Sequence, residues 1–348
     1  YQCDWSSDVC SSDLQASPKN KIAGTYKTDT WCDCPNGITA LVAPEAARDF
    51  RFPRLRQEHI EYTSPVTSRL LVEGVFMHLF ERWGFMHPQQ TARMASAQDV
   101  PTALAAQMIS VTEQSTGLAY RAPANLNNNT LVPNYAYRAS VAYVTGSHSL
   151  KLGFNRTHGY QITRSYSLND LAYRFNNGVP NQVTLRALPV QFENDLDNDL
   201  GLFIQDRWKL NKMTIGLALR YDTFQASFPD QKVGPSNLTP GRNFTFPAQS
   251  NLDWNDITYR SSLAYDINGD GKTAIKVTLN KYLLGQTLNG LGTDPNPVNT
   301  MVTSATRNWT DANGNYKVDC DLQNFAANAE CAGISNPTFG LAAPASTF

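Results

Sequence analysis

The chain has 348 residues, 41% of them hydrophobic, and its 29 basic and 30 acidic residues leave a net charge of −1. This balance gives no reason to expect a nucleic-acid partner, and no stretch reaches the roughly 18–20 apolar residues of a membrane helix. Barrel strands need apolar side chains on one face only. The mean hydropathy of −0.38 therefore excludes a helical membrane protein but not a membrane β-barrel.

The first fifteen residues differ from the rest. Their sequence, YQCDWSSDVCSSDL up to Leu14, has few apolar side chains and no basic start of an export signal. Residues 3–14 resemble a peptide that arises when a sequencing adapter is translated, and the alternative is a disordered Ser/Asp-rich tail. Either way we expect 1–15 to be a non-native or disordered start that includes Cys3 and Cys10.

From residue 16 onward the organising pattern is an alternation with period two, which is typical of strands with two unlike faces. Polar or small residues alternate in 212–225 with the apolar set Met213, Ile215, Leu217, Leu219 and Tyr221. A helix of this sequence would scatter its charges around the whole circumference. We predict about ten strands, at 20–32, 52–63, 68–83, 132–145, 149–163, 197–209, 212–225, 254–267, 273–285 and 299–309. Two short strands, 109–114 and 182–188, are predicted within long loops.

The connections between these strands alternate between short and long. The short ones are turns of two to four residues at 64–67, 146–148, 210–211 and 268–271. The long ones are polar segments at 33–53, 84–135, 164–198, 225–253 and 285–300. Loops of that length are uncommon inside a compact soluble domain, whereas short periplasmic turns and long extracellular loops are typical of outer-membrane barrels. Tyr and Trp cluster near the strand ends, as an interfacial aromatic girdle would require.

Two strands have an unclear orientation. In 68–83 both faces carry apolar residues, with Glu73 and Glu81 on one and His78 on the other. In 197–209 the apolar positions are followed on the same face by Asp206. A bulge or a turn of the strand toward the lumen would explain that acid.

Several segments resemble one family. GLFIQDRWKLNKMTIGLALRYD (201–222) and WNDITYRSSLAYDINGDGKTAIKVTLNKYL (254–283) are similar to strand–turn–strand units of TonB-dependent receptor barrels. RNWTDANGNYKVDCDLQNFAANAEC (307–331) resembles an extracellular loop of the Oar-like members, and SPVTSRLLVEGVF near Ser64 also fits them. The resemblance covers nearly everything after residue 15.

The resemblance implies a fold and a location. The fold is all-β, a partial transmembrane antiparallel barrel in which 16–348 supplies about ten of an expected 22 strands and is truncated at both ends. A complete member would carry an export signal, a plug domain and a TonB box before the barrel. The location is the outer membrane of a Gram-negative cell, in contact with its lipid.

The resemblance also implies a function, the uptake of a ligand such as an oligosaccharide, a peptide or a siderophore, driven by the TonB complex through the missing N-terminal part. Two other classes stay open. A passive porin or adhesion barrel would lack the plug and the TonB box. A secreted soluble β-protein that binds carbohydrate would bury its apolar faces and partition into water.

One loop suggests a metal ion. DANGNYKVD spaces oxygen side chains much as a calcium loop does, at Asp311, Asn313, Asn315 and Asp319. No Glu stands at the final ligating position, and Asx-rich loops also look like this without an ion. In DINGDGK, Asp266 also begins an EF-hand-like spacing, but strands adjoin it on both sides and favour a tight turn. Apart from calcium in loop 311–321, no cofactor is expected.

The remaining cysteines form two pairs. Ten residues separate Cys320 from Cys331, an easily closed loop, so we expect a disulfide there if the chain is exported. Cys32 and Cys34, in WCDCP, have no second cysteine pair or histidine cluster nearby in the sequence and make a poor zinc site.

No catalytic pattern is present. The five histidines are scattered without metal-binding spacing, and neither a nucleophile elbow nor a phosphate-binding loop occurs. We therefore expect no enzyme and name no catalytic residue. The sequence identifies no ligand-binding residues.

Overall fold

The computed structural model describes residues 6–87, 102–123 and 127–343. Its main element is a ten-stranded antiparallel sheet, which we call the wall. Successive wall strands are spatial neighbours, in the order β1-β2-β3-β4-β7-β8-β11-β12-β15-β16. Their bounds are β1 Ser6–Ser17, β2 Asn20–Asn36, β3 Arg48–Pro65, β4 Leu70–Met86, β7 Asn127–Val144, β8 His148–Tyr166, β11 Val190–Leu210, β12 Met213–Phe228, β15 Gln249–Asp266 and β16 Ala274–Asn280. Within the described residues β1 and β16 do not pair with each other, so the wall is an open sheet.

The long connections at one end of the wall form a second, five-stranded sheet, the loop sheet, in the order β17-β10-β9-β5-β6. Its strands are β5 Ser110–Glu113, β6 Ala119–Tyr120, β9 Leu171–Asn176, β10 Val179–Arg186 and β17 Ser304–Asn308. A two-stranded ribbon (β13 Gln231–Val233, β14 Phe244–Phe246), the helix α1 Thr102–Gln107 and two 3-10 turns, Pro44–Ala46 and Pro297–Thr300, complete the described elements. No helix in these ranges has the length and apolar character that a membrane crossing requires.

The alternation in the sequence determines the two faces of the wall. In register, Leu202 lies beside Phe154 on one side and Tyr221 on the other, and Tyr221 lies beside Ile257. Because side chains alternate across a strand, the rows between them hold the polar residues. The β11–β12 hairpin that fixes this register closes through Asn211, whose φ of 47° lies in the left-handed region that Asn tolerates.

Nine of the ten predicted wall strands are present. At the long-loop end eight of them extend beyond their predicted bounds, whereas β16, predicted at 273–285, ends at Asn280. β11, predicted at 197–209, begins at Val190, and β15, predicted at 254–267, begins at Gln249. The apolar alternation stops before the ladder of backbone hydrogen bonds does. Outside the membrane a strand needs no apolar face, so its hydropathy no longer marks it.

The tenth predicted strand was wrong. The segment 299–309 begins in a 3-10 turn and continues into β17, which pairs with β10 in the loop sheet and not with the wall. The tenth wall strand is β1, which falls largely within the start 1–15 that we expected to lie outside the fold. It pairs with β2 from Ser6 to Ser17. Its adapter-like origin stays a prediction, and residues 1–5, with Cys3, lie outside the described residues.

The loop sheet has a hydrophobic core of its own. Val111, Val183, Leu185 and Ala187 have no exposed surface, and Trp309 is 1% exposed. The two predicted short strands, 109–114 and 182–188, correspond to β5 and β10 and supply much of this core. β5 pairs in parallel with β9 although the two belong to different loops, so the loop sheet joins separate connections into one unit.

Candidate ligand-facing surface

One face of the wall, which we call the apolar face, exposes a band of large hydrophobic side chains. Along β15 it extends from Ile257 to Tyr265, eight residues apart, which is about 26 Å along a strand. That is close to the roughly 25 Å apolar band of a membrane barrel. Other exposed members are Ile22, Ile60, Tyr62, Tyr137, Leu152, Phe154, Leu202, Ile204, Leu217, Leu219, Tyr221, Val277 and Leu279.

The opposite face, the polar face, carries the charged and amide side chains. They share rows of the register with one another: Lys21, Lys27, Gln57, His59, Glu61, Glu73, Arg138, Lys151, Asn155, Gln205, Arg207, Arg220, Asp222, Arg260 and Lys276. Glu73 accepts hydrogen bonds from Lys151 Nζ at 3.0 Å and from Ser140 Oγ at 2.9 Å, which links β4, β7 and β8. A face of this kind suits the water-filled interior of a barrel.

The register also settles the two unclear strands. In β4, Glu73 belongs to the polar face, and His78 lies on the apolar face, with its Nδ1 2.9 Å from Glu58 Oε2 and its ring stacked on Tyr135. In β11 the predicted bulge at Asp206 is absent, since the register shifts near 196–199 instead. Asp206 stays on the apolar face near the short-turn end, where its carboxylate lies 2.6 Å from Nδ1 of His148.

A concave pocket of about 760 Å³ lies on the polar face toward the long-loop end of β12 and β15. Arg220 and Asp222 pair within it at 2.6 Å, and Lys281 pairs with Asp256 at 2.6 Å. The Arg260 guanidinium lies 5.0 Å from the centre of the Tyr282 ring. Its remaining lining includes Asn155, Asp199, Phe224, Asp253, Trp254, Asn255, Thr258 and Gln286. The pocket therefore combines aromatic surfaces with charges that largely neutralise each other.

Glycine at position 201 makes room for this charged pair. Gly201 pairs with Asp222 in the register, and a Cβ built on it would overlap the guanidinium of Arg220. The Arg220 side chain therefore lies directly over the backbone of β11, and any larger residue at 201 would displace it.

A cluster of aromatic rings lies where β2, β3 and β4 reach the long-loop end. Phe50 contacts Trp31, Phe52 and Phe85 with ring centroids 4.7–5.5 Å apart, and Trp83 extends the cluster. The alternation of β4 places Trp83 and Phe85 on the side of Glu73, the polar face. Edge-to-face and tilted ring pairs of this kind stabilise the packing of the three strands at this end.

Two buried arginines organise the loops around this end. Arg307, 1% exposed, donates to the carbonyl oxygens of Ala332, Asp321, Asn324 and Ala326 at 2.7–3.2 Å. Arg242 donates to the carbonyls of Gly234, Ala187 and Pro189 and connects the β13–β14 ribbon to the loop that leads into β11. Burial lowers the pKa of both guanidiniums below the ordinary arginine value. Both remain fully charged at neutral pH.

The structure brings together the four residues of the predicted calcium loop. The Asp319 carboxylate accepts hydrogen bonds from the side-chain amides of Asn313 and Asn315, both at 2.7 Å, and these bonds lower its pKa. The Asp311 carboxylate accepts the backbone N–H groups of Asn315 and Tyr316. These contacts describe a self-bonded Asx turn, and calcium at this loop stays a prediction. Asp266 accepts the N–H groups of Gly269 and Gly271 in its tight turn.

Both remaining cysteine pairs are bonded in the structure, Cys320 to Cys331 with Cα atoms 6.0 Å apart and Cys32 to Cys34 with Cα atoms 5.4 Å apart. Neither the pocket nor the loop sheet was identified from the sequence. One missed signal was Asn177-Gly178, whose positive φ values form the tight turn between β9 and β10. An Asn-Gly pair between alternating segments is the strongest short hairpin signal.

Comparison with known proteins supports the architecture. Residues 6–345 match the family model for the outer membrane beta barrel domain. A search of curated protein sequences found no significant match. Among solved structures, the outer membrane transporter YddB from Escherichia coli is 12% identical with a TM-score of 0.55, over 87% of this chain and 37% of that one. The ferric yersiniabactin uptake receptor FyuA from Yersinia pestis is 8% identical with a TM-score of 0.47, over 75% of this chain and 35% of that one.

The chain thus spans just over a third of the length of each of these two structures. The apolar face is the lipid-facing side of a membrane wall and the polar face is its inner side. The family is one of membrane barrels, in agreement with the prediction that the chain is not an enzyme. With nearly its whole length matched, this chain belongs to the outer membrane beta barrel domain family and is located in the outer membrane.

Proposed function

We propose that this chain is the wall and loop portion of a TonB-dependent transporter. In such a transporter the extracellular end captures a ligand, and the inner-membrane TonB complex drives its passage along the polar face by acting on a plug encoded before the barrel. The observation that carries the proposal is the placement of the 760 Å³ pocket. It opens on the polar face of the wall, at the end where the loops form an ordered sheet.

The ordered loops favour a receptor over a passive porin. Val190 at the start of β11 packs in one apolar cluster with Leu188, Val233, Val298 and Met301. This cluster, which is separate from the core of the loop sheet, attaches the β13–β14 ribbon and the last loop to the wall. Asn296, 1% exposed, donates to the Glu193 carbonyl at 2.8 Å and to Asn194 Oδ1 at 2.9 Å, which connects the last loop to β11. A selective receptor binds its ligand more tightly when the binding surface is preorganised, and loops held this firmly provide such a surface.

The pocket favours some ligands over others. Its charges are paired, as in Arg220 with Asp222, so it offers no excess charge to a strongly anionic ligand. Trp254 and Tyr282 offer flat apolar surfaces, and the paired side chains offer hydrogen-bonding groups. An oligosaccharide, which presents both hydroxyl groups and apolar ring faces, fits this combination better than a siderophore does. A peptide is the third candidate of this class.

Uptake by living cells tests the proposal. Cells expressing the gene that encodes this chain would be given labelled oligosaccharides, peptides and ferric siderophores, with and without a functional TonB. We expect accumulation of one ligand class that is lost without TonB while surface binding persists. Accumulation that is independent of TonB would show a passive porin, and surface attachment without accumulation an adhesion barrel.

Two variants connect the uptake to the pocket. Arg260→Gln with Tyr282→Ala removes the contact between the guanidinium and the ring on the polar face. Tyr259→Phe, one residue away on the apolar face, is the matched control, since its 43% exposed side chain points away from the pocket. We expect the first variant to weaken ligand binding and the control to bind normally. Equal binding by both would move the ligand site elsewhere.

A further inference from the structure

The lipid-facing side of the wall carries arginines just beyond its apolar band, and neither ligand capture nor passage along the polar face uses them. On β3 the side chains that follow Ile60 on this side, toward the long loops, are Glu58, Arg56 and Arg54. The ladder continues the same side across β4 and β7 to β8. We call five arginines on this side the arginine cluster: Arg54, Arg56, Arg82, Arg156 and Arg164.

The register gives the height of the cluster above the apolar band. Arg156 lies in the last apolar row, where it pairs with Tyr137. That row continues through Phe76 to Ile60. Arg54 lies six residues beyond Ile60, which is about 20 Å along a strand and about 15 Å in height at a strand tilt of about 40°. The polar layer of a bilayer begins where its hydrocarbon ends, and the long loops of such barrels are extracellular. The cluster therefore lies among the headgroups of the outer leaflet.

Two members of the cluster face each other. Arg54 and Arg82 are direct partners in the ladder, and like charges in that position destabilise a sheet. The guanidinium of Arg54 lies 5.9 Å from the centre of the Phe80 ring, and that of Arg56 lies 5.6 Å from the same centre. Two guanidiniums thus share one ring, with a third directly opposite in the ladder. An anion placed between them would replace repulsion by attraction.

One carboxylate balances part of this charge. Glu58 lies 3.2 Å from Nε of Arg56. Among the described residues, no carboxylate forms an ion pair with Arg54, Arg156 or Arg164. The cluster therefore keeps an excess of positive charge beside the apolar band.

Amide side chains orient two of the guanidiniums without neutralising them. Arg82 Nε donates to Asn129 Oδ1 at 3.3 Å, and Arg156 Nε donates to Asn198 Oδ1 at 2.8 Å. Both arginines keep their full charge, since a guanidinium stays protonated in proteins. Its planar fork of N–H donors matches the oxygens of a phosphate.

The adjacent part of the same side has the opposite charge. On β11 the corresponding positions hold Glu193 and Asp195, which pair with Ile162 and Tyr160 of β8. The positive charge is therefore confined to β3, β4 and β8. An anionic partner would be directed to that part of the wall and away from β11.

We propose that the arginine cluster binds the phosphate groups of a glycolipid of the outer leaflet, whose acyl chains lie along the apolar face below it. Guanidiniums bind phosphate through pairs of charge-assisted hydrogen bonds, which are about twice as strong as neutral ones. A lipid satisfies both parts of this surface, because its chains cover the exposed apolar side chains while its phosphates neutralise the arginines. The site is independent of the ligand that the barrel takes up.

Native mass spectrometry, which counts bound lipid molecules, tests the site. The complete gene product that contains this chain is purified from outer membranes and freed of lipid in a neutral detergent. It is then titrated with diphosphoryl lipid A or with lipid A from which both phosphates have been removed. We expect the diphosphoryl form to bind at least about tenfold more tightly, since hydrogen bonds to charged groups are the stronger ones. Equal affinity for the two forms would overturn the proposal. Equally tight binding of phosphatidylglycerol would show a surface for any anionic lipid and would overturn it too.

Two double variants with the same change in charge locate the site. Arg54→Gln/Arg82→Gln removes the facing pair from the cluster, whereas Arg138→Gln/Arg207→Gln removes two cations from the polar face. We expect the first variant to lose about tenfold in affinity for diphosphoryl lipid A, and the second to bind as the unaltered protein does. Equal affinity of the two variants would place the lipid elsewhere.

Thermal unfolding separates lost binding from lost folding. In lipid-free detergent the midpoint of Arg54→Gln/Arg82→Gln should equal or exceed that of the unaltered protein, because the two facing charges are gone. Diphosphoryl lipid A should raise the midpoint of the unaltered protein and change that of the variant little. If this variant does not fold, Arg156→Gln leaves the facing pair in place and takes over the test. It should weaken binding of diphosphoryl lipid A but not of the dephosphorylated form, and unchanged binding of both would contradict the site.

Discussion

The wall and the loop sheet are both β-structure, but different forces stabilise them. Wall strands follow one another in the chain and leave Leu217 59% and Leu279 64% exposed on the apolar face. Lipid covers that face, so those side chains need no protein partner. The ladder between the strands satisfies the backbone hydrogen-bonding groups. The loop sheet lies in water and needs an enclosed core, such as the one around Val183. Damage to the core of the loop sheet should therefore leave the wall intact.

Trp309→Ala is expected to give the largest difference in stability between the loop sheet and the wall. Trp309 is 1% exposed, lies 4.8 Å from the Tyr173 ring, and donates from Nε1 to Glu330. Removing a buried Trp side chain costs about 3–5 kcal/mol. Limited proteolysis in rising urea should show the loop sheet cleaved early while the wall stays protected. The control, Trp208→Ala on the apolar face, should keep the loop sheet closed. Simultaneous loss of both regions would mean that they unfold as one unit.

The Cys320–Cys331 disulfide comes next. A bridge that closes a loop of this length stabilises by about 3 kcal/mol through the unfolded chain. Replacing both Cys320 and Cys331 by Ser should therefore lower the urea concentration at which the loop sheet unfolds. Hydrogen exchange over 309–331 measures this midpoint. The Cys32–Cys34 bridge closes almost no loop, so replacing both of these cysteines by Ser should change that midpoint little. No difference between the two pairs would show that the longer bridge does not form in the exported protein.

A smaller effect is expected from Arg307→Met. The guanidinium donates to four carbonyls in 321–332, and methionine keeps the bulk but leaves those oxygens unpaired. We expect the free energy of unfolding of this loop to fall by about 2 kcal/mol and proteases to cleave faster within 321–332. The control is Arg174→Met, since Arg174 is exposed on β9 and donates to Gln182. This variant should be cleaved at the rate of the unaltered chain. Equal cleavage would mean that the loop holds its shape without the arginine.

The smallest effect concerns Glu113, which caps the β9–β10 turn. Its carboxylate accepts from the N–H groups of Gly178 and Asn177 and from Ser115, and these bonds lower its pKa below the ordinary 4.5. A lowered folded pKa means that the stabilisation is present above pH 4.5 and is lost as the pH falls through the folded value. The protection factor of the amides in 176–179, which removes the intrinsic pH dependence of hydrogen exchange, should fall over that acid range. Glu113→Gln should give a protection factor that does not change with pH, and the same fall in the variant would exclude the cap.

The wall could be predicted because its rule is local. Alternation in 212–225 or 254–267 is visible in a single segment, and each strand pairs with the next one along the chain. β1 was missed because its Ser/Asp-rich sequence has no apolar face and resembles a translated sequencing adapter, yet Leu14 pairs with Ile22 in the ladder. The segment 299–309 was misplaced because its alternation is real, and only the tertiary fold decides which sheet it joins.

The candidate sites could not be predicted, since they depend on distant pairs. The pocket brings Asn155 of β8 together with Tyr282, which lies 127 residues further along the chain. The partner of Asp206, His148, is 58 residues away, and without it the acid suggested a bulge. The loop sheet was equally hidden, since the parallel pairing of Val111 with Tyr173 joins two loops that have no common pattern.

The mixed origin of the loop sheet has a consequence for the order of folding. Gln182 pairs with Asn308, 126 residues further along the chain. Closing so long a loop in a free chain lowers the conformational entropy before any favourable contact has formed. Wall strands that pair neighbour by neighbour shorten that search by bringing β8, β11 and the last loop to one end. The loop sheet should therefore form last, on a wall already in place, and its core residues would stay exposed to chaperones until then.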